Sequence, residues 1–82
     1  MPYREQVRVM VETIAVCLVD QRSEVSVSLT ESTDATVVVL HVAHNEIGKI
    51  IGKKGVMARS IRNMLCAVSS RTHHQFHLDI QT

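Results

Sequence analysis

Aromatic side chains are nearly missing from this chain: no tryptophan, one tyrosine and one phenylalanine among 82 residues. That argues against modules that stack bases on exposed rings, of the RRM or OB kind. Glycine and proline are scarce too, three and one, and no linker, internal repeat or low-complexity tract interrupts the chain. No apolar run approaches the length that spans a bilayer. The start, Met1-Pro2-Tyr3-Arg4-Glu5, has neither the apolar stretch nor the small-residue cleavage site of a signal peptide. A cytoplasmic protein without membrane insertion is expected. The two cysteines, Cys17 and Cys66, each sit in an apolar helical stretch and are expected to be buried small hydrophobes rather than a disulfide.

What is present is an ordinary globular composition, 45% hydrophobic and 21% charged, in a length that suits one domain. Net charge is only +1, but it is segregated. Residues 1–46 carry three basic and seven acidic side chains. Residues 47–78 carry Lys49, Lys53, Lys54, Arg59, Arg62 and Arg71 with no Asp or Glu, and Asp79 is the last acid. Such a split is an electrostatic footprint for an anionic partner.

Periodicity predicts the elements. Val7, Met10, Val11, Ile14 and Leu18 form a helical stripe over about 4–20. Val7, Val9, Val11 and Thr13 also alternate as a strand would, but an unbroken strand of that length is unusual. Val25, Val27 and Leu29 alternate with serines over 24–30, a half-buried strand. A polar turn, Glu31 to Asp34, leads to a second strand over 35–42, apolar on both faces and so central. Asn45 and Glu46 read as the cap and acidic first turn of a short helix over 46–51. A longer helix follows Gly55 to about Ser70, with Met57, Ile61, Met64, Leu65 and Val68 inward and Arg59, Arg62 and Asn63 on another face. A last strand spans 75–81, with Phe76, Leu78 and Ile80 inward. The helix pair is long enough to serve as a crossover, so the second and third strands are expected side by side and parallel. The result is an α+β fold, order αββααβ, with helices on one face of a three-stranded mixed sheet.

The informative segment is Ile47-Gly48-Lys49-Ile50-Ile51-Gly52-Lys53-Lys54-Gly55. Two glycines bracket two lysines between two helices. A G-x-x-G turn removes β-carbons where a backbone must come close, and permits positive φ. Its amides, with the start of the following helix, can receive a phosphate. Lys49, Lys53 and Lys54 add charge. Ile50, Ile51, Ala58 and Ile61 are the candidate apolar wall of a groove for bases, and Arg59 and Arg62 the candidate phosphate or base-edge contacts. Gly48, unfavourable inside a helix, suggests close packing there.

Residues 47–62, IGKIIGKKGVMARSIR, closely resemble the signature of bacterial KH domains, and the element order is that of the type II KH fold. Length and the lone domain are similar to the small KhpA (YlqC-like) family, so residues 1–82 are identified as a single KH domain with its GxxG loop at 52–55. The resemblance implies single-stranded RNA binding through Gly52, Lys53, Lys54 and Gly55 and a role as an RNA chaperone or post-transcriptional regulator. It further implies a homodimer, or pairing with a larger KH-containing protein (KhpB-like), and a link to cell shape. The family tends to have proline and acidic residues where this chain has Ala43-His44-Asn45.

Rival readings fare worse. A P-loop needs G-x-x-x-x-G-K-[ST]; Gly48 and Gly52 are one residue too close, and Lys54 stands where Ser or Thr should bind magnesium. His41, His44, His73, His74 and His77 lack a Cys or carboxylate at ligand spacing, so surface histidines are expected and no metal or cofactor. No nucleophile with a base and an orienting group emerges; Ser60, Ser69 and Ser70 read as helix-surface residues. The chain is therefore not expected to be an enzyme. The serious alternative is a protein-pairing module, using Val37 and Val39 on the outer sheet face or Cys66 and Ala67 on the long helix.

Overall fold

The computed structural model describes residues 3–82; the Met1-Pro2 start read above lies outside them. Helix α1 (Arg4–Leu18) buries Val7, Val11 and Ala15, a spacing of four that puts them on one helix face. The competing alternation fails because Val9 and Thr13 are exposed. Cys17 also faces solvent, one position round from the buried stripe.

After α1 the chain makes a 3-10 turn at Arg22–Glu24 before strand β1 (Ser26–Glu31). That turn delays the strand by two residues relative to its alternating pattern. β1 hairpins into β2 (Ala35–His41), where Ala35 C=O accepts from the N–H (2.8 Å) and hydroxyl (3.1 Å) of Ser32. β2 is central, antiparallel to β1 and parallel to β3 (Gln75–Gln81). Its inner face buries Thr36, Val38 and Leu40. The outer rows set Val37 between Thr30 and His77, and Val39 between Ser28 and Asp79, so polar neighbours cover much of both valines.

Helices α2 (Ile47–Ile51) and α3 (Val56–Thr72) form the crossover. α3 buries Ala58, Ile61, Leu65 and Ser69, while Met64, expected inward, is 40% exposed. The stripe has shifted by about one residue because the inward face meets the edge strand β3. Ser69 is likewise not on the surface: its hydroxyl donates to Leu65 O and accepts the Phe76 N–H, both at 2.8 Å. It therefore ties α3 to the start of β3. His74 is half-buried, its Nε2 2.8 Å from Thr36 Oγ1 and its ring edge-on to Phe76. That satisfies the one fully buried hydroxyl of the sheet. Leu40, Ile50, Ile61, Leu65 and Val11 meet in the core between sheet and helices. No helix among the described residues is long and apolar enough to cross a membrane.

A five-residue helix such as α2 is too short to be stable alone; it is held from outside. Glu46, 3% exposed, does not serve its own helix start as expected. Its carboxylate accepts the amides of Asp20 (2.7 Å) and Gln21 (3.0 Å), just past α1, and Lys49 Nζ at 3.2 Å. Asn45, read as a cap, instead accepts from Gln21 Nε2. Burial raises the Glu46 pKa, but the Gln21 and Asp20 amides and then Lys49 outweigh it, and the group titrates below its usual 4.5. Because the folded value is the lower one, the folded chain binds fewer protons in between. Glu46 thus stabilises fully above about pH 4.5, and its contribution is lost as pH falls through the folded value. Replacing Glu46 by Gln is expected to lower Tm at neutral pH and to flatten the acid limb below about pH 4.5, as read by thermal melts across pH.

Candidate nucleic-acid interface

The chain reverses between α2 and α3 in four residues, three of them at positive φ: Gly52 (78°), Lys54 (57°) and Gly55 (75°). Gly52 pairs that φ with ψ 174°, a region open essentially to glycine alone. A β-carbon there would lie 2.7 Å from Met57 Cβ and 3.0 Å from Met57 N. Both conformation and space demand glycine. Gly55 is left-handed but roomy, a β-carbon meeting only Arg59 Nη2 at 4.0 Å. Lys54 holds a left-handed conformation as a non-glycine, local strain of the kind that collects at functional sites.

Inside the turn, Gly52 C=O accepts Gly55 N–H (3.1 Å), and Lys53 C=O accepts Val56 N–H. Arg59 Nη2 reaches back 3.1 Å to Lys54 O. Arg59 is thus a strut for the turn as well as a charge beside it. The lysine side chains stand in solvent, and no side chain caps the start of α3. Among the described residues, Lys53, Lys54, Arg59 and Arg62 form no ion pair. The turn therefore offers free amides and free cations at one place, the arrangement that receives an oxyanion.

Beside the loop runs a groove of about 470 Å³. α2 contributes Ile47 and Ile51, α3 contributes Ala58, Arg59 and Arg62, and β3 contributes Asp79 and Ile80, with Gly55 at the loop end. Of the residues expected at the site, Gly52, Lys53, Lys54, Gly55, Ile51, Ala58, Arg59 and Arg62 are gathered at the loop or the groove. Three are corrected. Ile50 and Ile61 are fully buried; they hold α2 and α3 to the core and present nothing to a ligand. Lys49 is held between Asp20 Oδ2 (2.8 Å) and Glu46 Oε1 (3.2 Å), so its charge is spent on the fold. The Asp20 hydrogen bond, then that to Glu46, raises its pKa.

Ile47, Asp79 and Ile80 were missed. Ile47 was within reach, lying four residues before Ile51 and so on its face. Ile80 was read as core, yet it stands half-buried on the edge strand. Nothing local marks Asp79; it reaches the groove only because β3 lies next to α3. Gly48 gives no packing reason for its presence, since a β-carbon there meets nothing within 4 Å.

Gly52→Ala is expected to cost about 1–3 kcal/mol in stability, or to displace the start of α3. Gly48→Ala is expected to add about 0.5–1 kcal/mol. Denaturant titration reads both.

The family described as KhpA/KhpB, KH domain, matches residues 8–80. RNA-binding protein KhpA of Borreliella burgdorferi is 37% identical over 71 residues, 87% of each chain. The Oceanobacillus iheyensis protein of that name is 33% identical, over 89% of this chain and 97% of its own. That of Chlamydia trachomatis is 40% identical, over 77% and 81%. Among solved structures, Era of Aquifex aeolicus bound to GDP and AlF4− superposes with TM-score 0.62 at 19% identity, covering 99% of this chain and 31% of Era. Era in complex with MgGDPNP and a segment of 16S ribosomal RNA gives 0.61. At that identity the likeness to Era is one of fold, over less than a third of Era's length.

Proposed function

Given that the chain belongs to the KhpA/KhpB KH-domain family, with the αββααβ order of the type II fold, we propose that it binds single-stranded RNA at the loop Gly52–Gly55. The observation that carries this reading is the reversal itself: three positive-φ residues, two unpaired lysines and an uncapped helix start converge on one point. A phosphodiester settles against the amides of Lys53 and Lys54, before the start of α3. Bases turn into the groove over Ile51, Ala58 and Ile80, with Arg62 beside them. KH modules clamp about four nucleotides in this manner. The relatives' printed name, RNA-binding protein, points the same way. The binding is not catalysis, and it serves RNA chaperoning or post-transcriptional regulation in the cytoplasm.

Four nucleotides offer few contacts, so one domain binds weakly, and joining two sites raises avidity. We infer a homodimer, or a pair with a larger KhpB-like protein. The exposed Met64 and Ala67 side of α3 supports this reading, as it lines neither the loop nor the groove. Sedimentation is expected to show a dimer at micromolar concentration; a strict monomer that also ignores a KhpB-like partner would count against it.

Replacing Lys53 and Lys54 with Asp is expected to abolish RNA binding while leaving Tm within a few degrees. Unchanged affinity would refute the reading. Wild-type affinity is expected to fall with salt, with a log–log slope of about −0.7 per phosphate contacted, measured by fluorescence anisotropy.

A further inference from the structure

A hollow of about 370 Å³ lies against the loop. Gly52, Lys53, Lys54, Val56 and Met57 line it, and none of them lines the groove. At about 100° per residue, Val56 and Met57 point roughly 160° around α3 from the mean direction of Ala58, Arg59 and Arg62. The hollow and the groove therefore open on opposite sides of the helix start. The turn is the ridge between them: Gly55 lines the groove and Gly52 the hollow.

The walls are accessible and match one chemistry. Val56 is 51% exposed and Met57 half-buried. A single exposed valine is ordinary on a protein surface, but this one shares its wall with Met57 beside two lysines. Gly52 contributes no side chain to fill the space. Lys53 and Lys54 make no ion pair among the described residues, and residues 47–78 contain no Asp or Glu. An apolar floor with an unneutralised cationic rim fits a ligand that has an apolar face and an attached anion. A phosphodiester laid across the turn carries such a group on each side. The loop would already hold one end of that nucleotide, which favours it over an acyl chain or an acidic peptide.

We propose that the RNA strand crosses the loop rather than ending at it, and that the nucleotide on the far side lays one face of its base on Val56 and Met57. Lys53 and Lys54 hold the phosphates on either side of that nucleotide. The loop is then a two-sided clamp, with the groove taking bases on one side and the hollow taking one more on the other. Aliphatic contact reads no base identity, so this position tolerates any sequence. It raises affinity for strands longer than those the groove alone accommodates. This extension rests on the loop reading above, and its test separates the two.

The full chain is titrated with four-nucleotide and six-nucleotide RNA of randomised sequence. Val56 opens α3 and lies outside the core, so Val56→Ser is expected to keep the fold, with Tm within a few degrees. It is expected to weaken six-mer binding about fivefold and to leave four-mer binding within about twofold. The chain has no tryptophan, so Val56→Trp places the sole indole at the hollow. The six-mer is expected to quench that indole's emission and to bind about fivefold more tightly than it binds the parent chain, while the four-mer does neither. Unchanged six-mer affinity or equal losses for both lengths in Val56→Ser, or an indole that the six-mer leaves unquenched, overturns the extension while RNA binding at the loop stands. So does an indole quenched by phosphatidylglycerol vesicles and not by the six-mer, which assigns the hollow to a lipid. Absence of binding of either RNA to the parent chain overturns the loop reading itself.

Discussion

The contact between Gly52 and Met57 is the constraint on which the site depends. With only hydrogen at Gly52 Cα, the end of α2 can press against the start of α3, where any β-carbon would sit 2.7 Å from Met57 Cβ. The chain therefore turns within four residues and exposes Lys53 and Lys54 at the apex. Arg59, one turn into α3, fastens the apex by its bond to Lys54 O. The strain of a left-handed Lys54 is thus held by its surroundings rather than relaxed. A loop ordered in this way loses little entropy on meeting a ligand.

The same economy governs α2, which has five residues and little helical stability of its own. Ile50 anchors it from below, and Glu46 anchors it sideways to the two amides beyond α1. Lys49 bridges Glu46 and Asp20. The acid-rich first half of the chain is thereby matched to one lysine of the basic second half. Lys53, Lys54, Arg59 and Arg62, on the loop and groove side, form no ion pair among the described residues. β3 returns beside α3, while α1 packs on β1.

Much of the fold was legible because its signals are local. β3 falls at 75–81 as its alternation predicts, and Gly55 opens α3 as expected. The G-K-K-G turn shows itself in four letters. The failures share one cause. Ile50 and Ile51 are adjacent apolar residues on one short helix, yet one is core and the other 39% exposed. Met64 and Leu65 divide in the same way. A stripe calculated for an isolated helix does not say where its neighbours lie, and a rotation of one residue moves a side chain by 100°. Ser69 and His74 looked like surface residues because the Phe76 N–H and Thr36 Oγ1 they satisfy come from the sheet.

The amino-acid sequence by itself determined the order of elements, the reversal between α2 and α3, and the separation of acidic from basic halves. Each is set by period, by glycine's missing β-carbon or by counting charges within a short window. Only the tertiary structure decided which cations remain outside ion pairs among the described residues, which apolar residues form a groove rather than a core, and how Asp79 and Ile80 come to line one groove with Arg62. Those outcomes depend on pairs far apart in the chain, such as Glu46 with Asp20 and Thr36 with His74. Their partners are chosen by packing geometry, which no local pattern encodes.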